Sequence, residues 1–274
     1  MRDDLSRGES EARETLVGAG LCVGVVVLVN AGLALLISVS GARSPHAAGP
    51  PILRLEFASV AANIVAIAFA FRRGFRWPEL ISFRREDWTA VARVSLGCVA
   101  LTVPVLLIAA QVSDPFDPLL GPHAGSARYS LARALVGITV GPVSEEIIFR
   151  GIIMKALLQR TLPAIAIAAS AAIFAVFHVS VAHMPAAFTL GLAVGYSYYF
   201  TRSLVPGMVG HAAWNLVVFA MSGFGDLLPK SGFTTAVVSI VCLGVSVLML
   251  WPLSRATASV GRRRRAALSQ KTRA

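Results

Sequence analysis

The segment Thr234–Leu253 reads TTAVVSIVCLGVSVLMLWPL, twenty residues without a charged side chain. At 1.5 Å per residue, a helix of that length covers about 30 Å, the thickness of a bilayer's hydrocarbon core. A helix on the surface of a soluble protein keeps a polar face for water, and this one has none. Working outward from it, the same pattern recurs in about eight runs: Leu16–Ser40, Ile52–Phe71, Thr89–Ala110, Tyr129–Leu157, Pro163–Ala182, Pro185–Thr201, Val205–Ser222 and Thr234–Leu253. The second carries Arg54 and Glu56 near its start. The fourth is overlong and is expected to break near Gly141-Pro142, since proline removes a helix hydrogen bond.

Composition agrees with the runs. Of 274 residues, 56% are hydrophobic and 14% charged, against about 25% charged in a soluble domain. The mean hydropathy is +0.71. The fold class expected is all-α, a polytopic transmembrane helix bundle. The apolar run that follows Met1–Leu16 is longer than a signal peptide's, so it reads as a first span. No soluble domain and no repeat is evident. The chain divides into N-terminal transmembrane helices and loops (1–128), a helical core that carries the chemistry (129–222), and a last transmembrane helix with a basic tail (223–274).

The net charge of +11 would suggest nucleic acid in a soluble protein. Here the basic residues flank membrane spans, so the bilayer is the expected partner and no nucleic acid is. With eight spans, one side collects Arg2, Arg7, Arg13, Arg72, Arg73, Arg76, Arg84, Arg85, Lys155, Arg160, Arg202 and the tail Arg262-Arg263-Arg264-Arg265. The other side holds Arg43, Arg128 and Lys230. By the positive-inside rule both termini are expected in the cytoplasm. Trp77, Trp88 and Trp251 lie near span ends, where amphipathic rings sit. Cys22, Cys98 and Cys242 each lie in an apolar run and read as small hydrophobes.

Most spans lack an ionisable group near their middle. The exceptions fall in three consecutive places: Glu145-Glu146-Ile-Ile-Phe-Arg150, Phe174-Ala-Val-Phe-His178 and His211-Ala-Ala-Trp-Asn215. A charged group at the bilayer centre costs about 2.5–3.5 kcal/mol, so it usually faces the protein interior, pairs and serves a function. Glu146 and Arg150 are spaced i, i+4 with the acid first, the favourable order for a pair. Glu145 is rotated from Glu146 by about 100°, so the two carboxylates meet different environments. Two environments can separate two carboxylates into a base and a structural anion. His211 and Asn215 share a helix face, as do Phe174 and His178. Gly191 and Gly195 form a GxxxG pair that predicts close helix packing. His183 reads as interfacial, while His46 and His123 lie in loops.

This set contains what hydrolysis of an amide by water requires. A carboxylate, aided by histidine, can take a proton from water. A second histidine and an amide can donate to an oxyanion. There is no GxSxG or HExxH motif, and no nucleophilic serine or cysteine is evident. One Glu and two His can also hold zinc. Glu145, His178 and His211 are thus open to either use.

In order and spacing, these three motifs resemble those of the CAAX-protease and bacteriocin-processing (CPBP) family of intramembrane endopeptidases, which includes the Ras-converting CAAX protease. The resemblance covers about Ala132 to Ser222. It implies that Glu145 with His178 activates the attacking water and that His211 and Asn215 stabilise the oxyanion. It further implies that Glu146 and Arg150 order the site and that Phe174 packs beside the histidine helix. The family was long classed as metalloproteases, and a metal-free glutamate mechanism is now favoured for its prenyl-protein member. The expected cofactor is therefore none, with zinc as the alternative.

The expected function is an intramembrane endopeptidase acting on a membrane-associated peptide or protein, in a multi-pass protein of a prokaryotic plasma membrane. Its site is expected to open toward the cytoplasm. Two other classes fit parts of the pattern. An ion-coupled transporter would use the same groups as a charge relay, but it predicts broken helices in both halves, and the polar groups fall in one region. A non-catalytic membrane scaffold or immunity protein would need only the fold.

Overall fold

The computed structural model describes residues 17–21, 23–25, 27–28, 51–72, 87–109, 135–178, 183–222 and 232–271. The run Leu16–Ser40 is thus described only within 17–28. Cys22, Trp77, His46, His123 and the loop residues Arg43, Arg73, Arg76, Arg84, Arg85, Arg128 and Lys230 lie outside the described residues, as do Arg2, Arg7 and Arg13. Of Arg262–Arg265 the backbone alone is described.

Among the described residues every regular element is helical. Helix α1 spans Pro51–Arg72 and α2 Asp87–Ala109. Helix α3, Val140–Glu146, continues as a π-helix over Ile147–Met154 and ends in the short α4, Lys155–Leu157. Then follow α5 (Pro163–Val176), α6 (Met184–Thr201), α7 (Val205–Ser222) and α8 (Gly232–Lys271).

Local chemistry sets several boundaries. Pro163 opens α5 after an extended Leu162, a position where the missing N–H costs nothing. Arg202 ends α6 in the left-handed conformation, with φ of 55°. Its amide donates to Tyr198 O at 2.9 Å, and its guanidinium lies 5.0 Å from the Tyr199 ring. The expected break at Gly141-Pro142 falls two residues earlier: Thr139 departs from helix geometry (φ −110°, ψ −78°), while Gly141 and Pro142 are buried inside α3. Helix α8 runs well past Leu253, through the basic tail to Lys271.

Helix α2 lies at the centre, packed along α7 on one side and α8 on another. Helix α5 packs on α6, and the π-helix lies against α5. Helix α3 is held between α1 and α7. The expected close packing at Gly191 is present. A Cβ there would stand 2.9 Å from both Cα and Cβ of Ala171, so α5 and α6 touch backbone to backbone.

The apolar surface faces outward. Within α8, Gly232–Leu253 has a mean hydropathy of 2.4, yet 6% of it is buried. Ile240, Leu248 and Trp251 stand more than half exposed. A core helix of a soluble protein would be covered, so this one suits a lipid solvent. Trp88–Leu107 in α2 is the other described helix long and apolar enough to cross a membrane. Meanwhile the most deeply buried large side chains include Arg150, Glu146 and His211. Free Cys98 is also fully buried, against Gly210 of α7.

Candidate active site

The π-helix follows directly on the two carboxylates. Its wider turn is seen at its end, where the Lys155 amide reaches back five residues to Arg150 O. π-Helical turns inside α-helices are uncommon and often sit at functional sites. A side chain supports this one: Ser170 of α5 donates to Phe149 O at 2.8 Å.

From this segment Arg150 points inward and is fully buried. A buried guanidinium needs a counter-charge and acceptors for its fan of donors. Arg150 Nη1 donates to Glu146 Oε1 at 2.8 Å, and Nη2 donates to Gly191 O at 3.1 Å. The Phe174 ring lies 4.8 Å from its Cζ, a cation–π contact. Glu146 is sealed as well, with 1% of its side chain exposed. Its Oε1 is also 3.0 Å from His211 Nδ1. A carboxylate only accepts, so His211 carries a proton on Nδ1. That contact fixes the ring and leaves Nε2 3.7 Å from Glu145 Oε2. Glu146 thus orients His211 much as a buried carboxylate orients a catalytic imidazole.

Glu145 differs from its neighbour, with 24% of its side chain exposed. It opens on a cavity of about 160 Å³ lined by Asn63, Glu145, Phe149, Phe174, Phe177 and His178. At about 30 Å³ per water this has room for roughly five molecules. His178 sits in the turn just after α5, and its Nδ1 lies 3.0 Å from Phe174 O. A carbonyl also only accepts, so Nδ1 carries the proton and, in the neutral ring, Nε2 is the basic atom. Phe174 stands edge-on between the two imidazoles, its centroid 4.6 Å from His178 and 5.6 Å from His211. Phe149 braces it at 5.1 Å.

The structure therefore brings Glu145, Glu146, Arg150, Phe174, His178 and His211 into one contiguous group. Asn215 stands apart. Its amide donates to Gly137 O at 2.7 Å and does not line the cavity, nor does His211. One helix turn apart on α7, His211 holds Glu146 of α3 and Asn215 holds Gly137, which precedes that helix. As for zinc, no group of three His, Cys, Asp or Glu side chains among the described residues is placed to hold a metal ion.

Residues 127–217 match the Rce1-like family, type II CAAX prenyl endopeptidase Rce1-like. This segment, about a third of the chain, is similar to the CAAX prenyl endopeptidases. Every member of the buried group lies inside the matched segment. The family is membrane-embedded, in keeping with the exposed apolar helices, and its activity is that of a protease. No curated protein and no solved structure matches the chain.

One cavity residue lies outside the matched segment and carries no charge to mark it in the sequence. Asn63 of α1 is 3% exposed and donates through Nδ2 to Ser144 Oγ at 3.2 Å. The available signal was a lone amide in the apolar run Ala61-Ala62-Asn63-Ile64-Val65-Ala66. Read alone, such a residue is ordinary helix-to-helix glue.

Proposed function

We propose that this protein is an intramembrane endopeptidase in which Glu145 and His178 activate a water molecule against a peptide bond. The observation that carries the reading is their meeting in one cavity with room for several waters, beside a sealed Arg150–Glu146–His211 network, within the segment that matches CAAX endopeptidases.

Glu145 takes a proton from water, with His178 Nε2 as the second basic atom at hand. The oxygen of that water attacks the carbonyl carbon, and negative charge moves to the carbonyl oxygen. When the intermediate collapses, the C–N bond breaks and the amine leaves with the proton that Glu145 held. Glu146 and Arg150 hold the α3 turn in place and cancel each other's charge, so Glu145 is the free anion of the group. His211 and Asn215 are proposed to stabilise the oxyanion. In the resting arrangement His211 Nε2 remains directed toward Glu145, and Asn215 holds Gly137. The mechanism needs no metal.

The substrate is proposed to be a membrane-associated peptide or protein, and the family's description makes a prenylated one the first to try. The fold is proposed to be an eight-span bundle in a prokaryotic plasma membrane, with both termini and the cavity on the cytoplasmic side. Cysteine placed at position 145 should label from the cytoplasmic side, and labelling from outside alone would reject that orientation. For the activity, membrane-peptide fragments are compared between cells carrying wild type and cells carrying Glu145→Gln. The proposal expects fragments that vanish in the variant and persist with a chelator. Identical profiles would remove the protease reading. Loss on chelation with recovery on zinc would remove the metal-free mechanism.

A further inference from the structure

The two amides near the site are placed very differently. Asn215 gives its amide to Gly137 O and stays off the cavity, whereas Asn63 lines the cavity together with Glu145 and His178. Asn63 comes from α1, outside the segment matched by the family.

Its orientation is imposed by a neighbour. Ser144, the residue before Glu145, donates its one hydroxyl proton to Gly141 O at 3.0 Å. Toward Asn63 the serine oxygen can then only accept. The NH₂ end of Asn63 must therefore turn to Ser144, where Nδ2 lies 3.2 Å from Oγ. An amide nitrogen carries two protons. One serves Ser144, and the second is left for an acceptor on the cavity side.

We propose that Asn63 contacts the substrate and donates this second N–H to the scissile carbonyl oxygen as it becomes an oxyanion. The inference rests on the protease reading above. As water attacks, the carbonyl's π pair moves onto its oxygen, and the Asn63 N–H bond strengthens with that charge. When C=O re-forms and the C–N bond breaks, the bond to Asn63 weakens again. An uncharged donor suits this place. A lysine or arginine beside Glu145 would pair with the carboxylate and blunt its basicity, whereas a fixed amide dipole acts on the charge that develops. Ser144 is a positioning residue, acting through Asn63.

The test uses the full chain in proteoliposomes and a quenched-fluorescent peptide bearing an S-farnesyl cysteine near its C-terminus. Asn63→Ala and the near-isosteric Asn63→Asp, which lacks the N–H, should lower kcat by about 10²–10³-fold with little change in KM. Ser144→Ala should lower kcat by about tenfold, since the amide remains but is less well held. A peptide phosphonate that mimics the tetrahedral intermediate should lose affinity for both Asn63 variants, while the uncleaved peptide bound to Glu145→Gln should not weaken when Asn63→Ala is added. A merely structural Asn63 would move both affinities alike. If Asn63→Ala fails to fold, Asn63→Asp carries the same test. Asn63 variants that cleave near the wild-type rate, or phosphonate binding that is unchanged, overturn the inference alone. A wild type that leaves the peptide intact, no better than Glu145→Gln, overturns the protease reading and this inference with it.

Discussion

Glu145 and Glu146 are adjacent in the chain but occupy opposite environments. Glu146 is sealed, doubly engaged by Arg150 and His211, with 1% of its side chain exposed. Glu145 opens on the cavity, with 24% of its side chain exposed and His211 Nε2 at 3.7 Å. One turn of helix thus presents a sealed carboxylate and a cavity-facing one. The difference teaches how a charged site can exist in apolar surroundings: the buried ion pair is closed off among its partners, and Glu145 alone of the two carboxylates lines the cavity.

The comparison can be broken from its sealed side first. Arg150→Met leaves Glu146 without its cation, and removing one partner of a buried pair costs about 3–5 kcal/mol. Thermal unfolding of the protein in one fixed detergent should show a large loss of stability, with activity lost too. An unchanged Tm would mean the pair does not hold the fold. Next in size is Gly191→Ala. Its Cβ would press on Ala171 at 2.9 Å beside the carbonyl that receives Arg150, and overpacking of this kind costs about 1–3 kcal/mol. An Ala171→Gly change on the facing helix should restore part of that stability; no rescue would show that α5 and α6 can separate freely. The smallest effect is expected far from the site, on α8. Ile240 is 69% exposed, so Ile240→Ala should alter stability by no more than about 0.5 kcal/mol. A larger loss would mean that this face packs against protein rather than lipid.

Much of the buried group was legible in the sequence, and the reason is physical. Ionisable residues in apolar helices are costly, so Glu145, Glu146, Arg150, His178 and His211 stand out without structural help. Helix spacing alone pairs Glu146 with Arg150. The helices Met184–Thr201 and Val205–Ser222 were legible because those runs carry no acidic or basic side chain other than a histidine and so have visible ends. Other features depend on contacts between distant segments. The π-helix has no signal in Ile147-Ile148-Phe149, and its backbone is supported from α5 by Ser170. Asn63 bears no charge and meets Ser144 across 81 positions of chain. The i, i+4 rule put Asn215 beside His211 on one face but could not show that its partner would be a backbone carbonyl. The break expected near Gly141-Pro142 is present at Thr139, and the proline falls in the first turn of α3, where its missing N–H removes no helix hydrogen bond.

The central claim is the division of roles between two neighbouring carboxylates. The direct test measures cleavage rate and thermal unfolding together, in the full chain, for Glu145→Gln and Glu146→Gln against wild type. Glu145→Gln should lower the rate by about 10²–10⁴-fold, the usual worth of a general base, with the unfolding temperature essentially unchanged. Glu146→Gln should lose stability as well as rate, since it removes the anion from Arg150. A folded Glu145→Gln protein that cleaves at the wild-type rate would contradict the account.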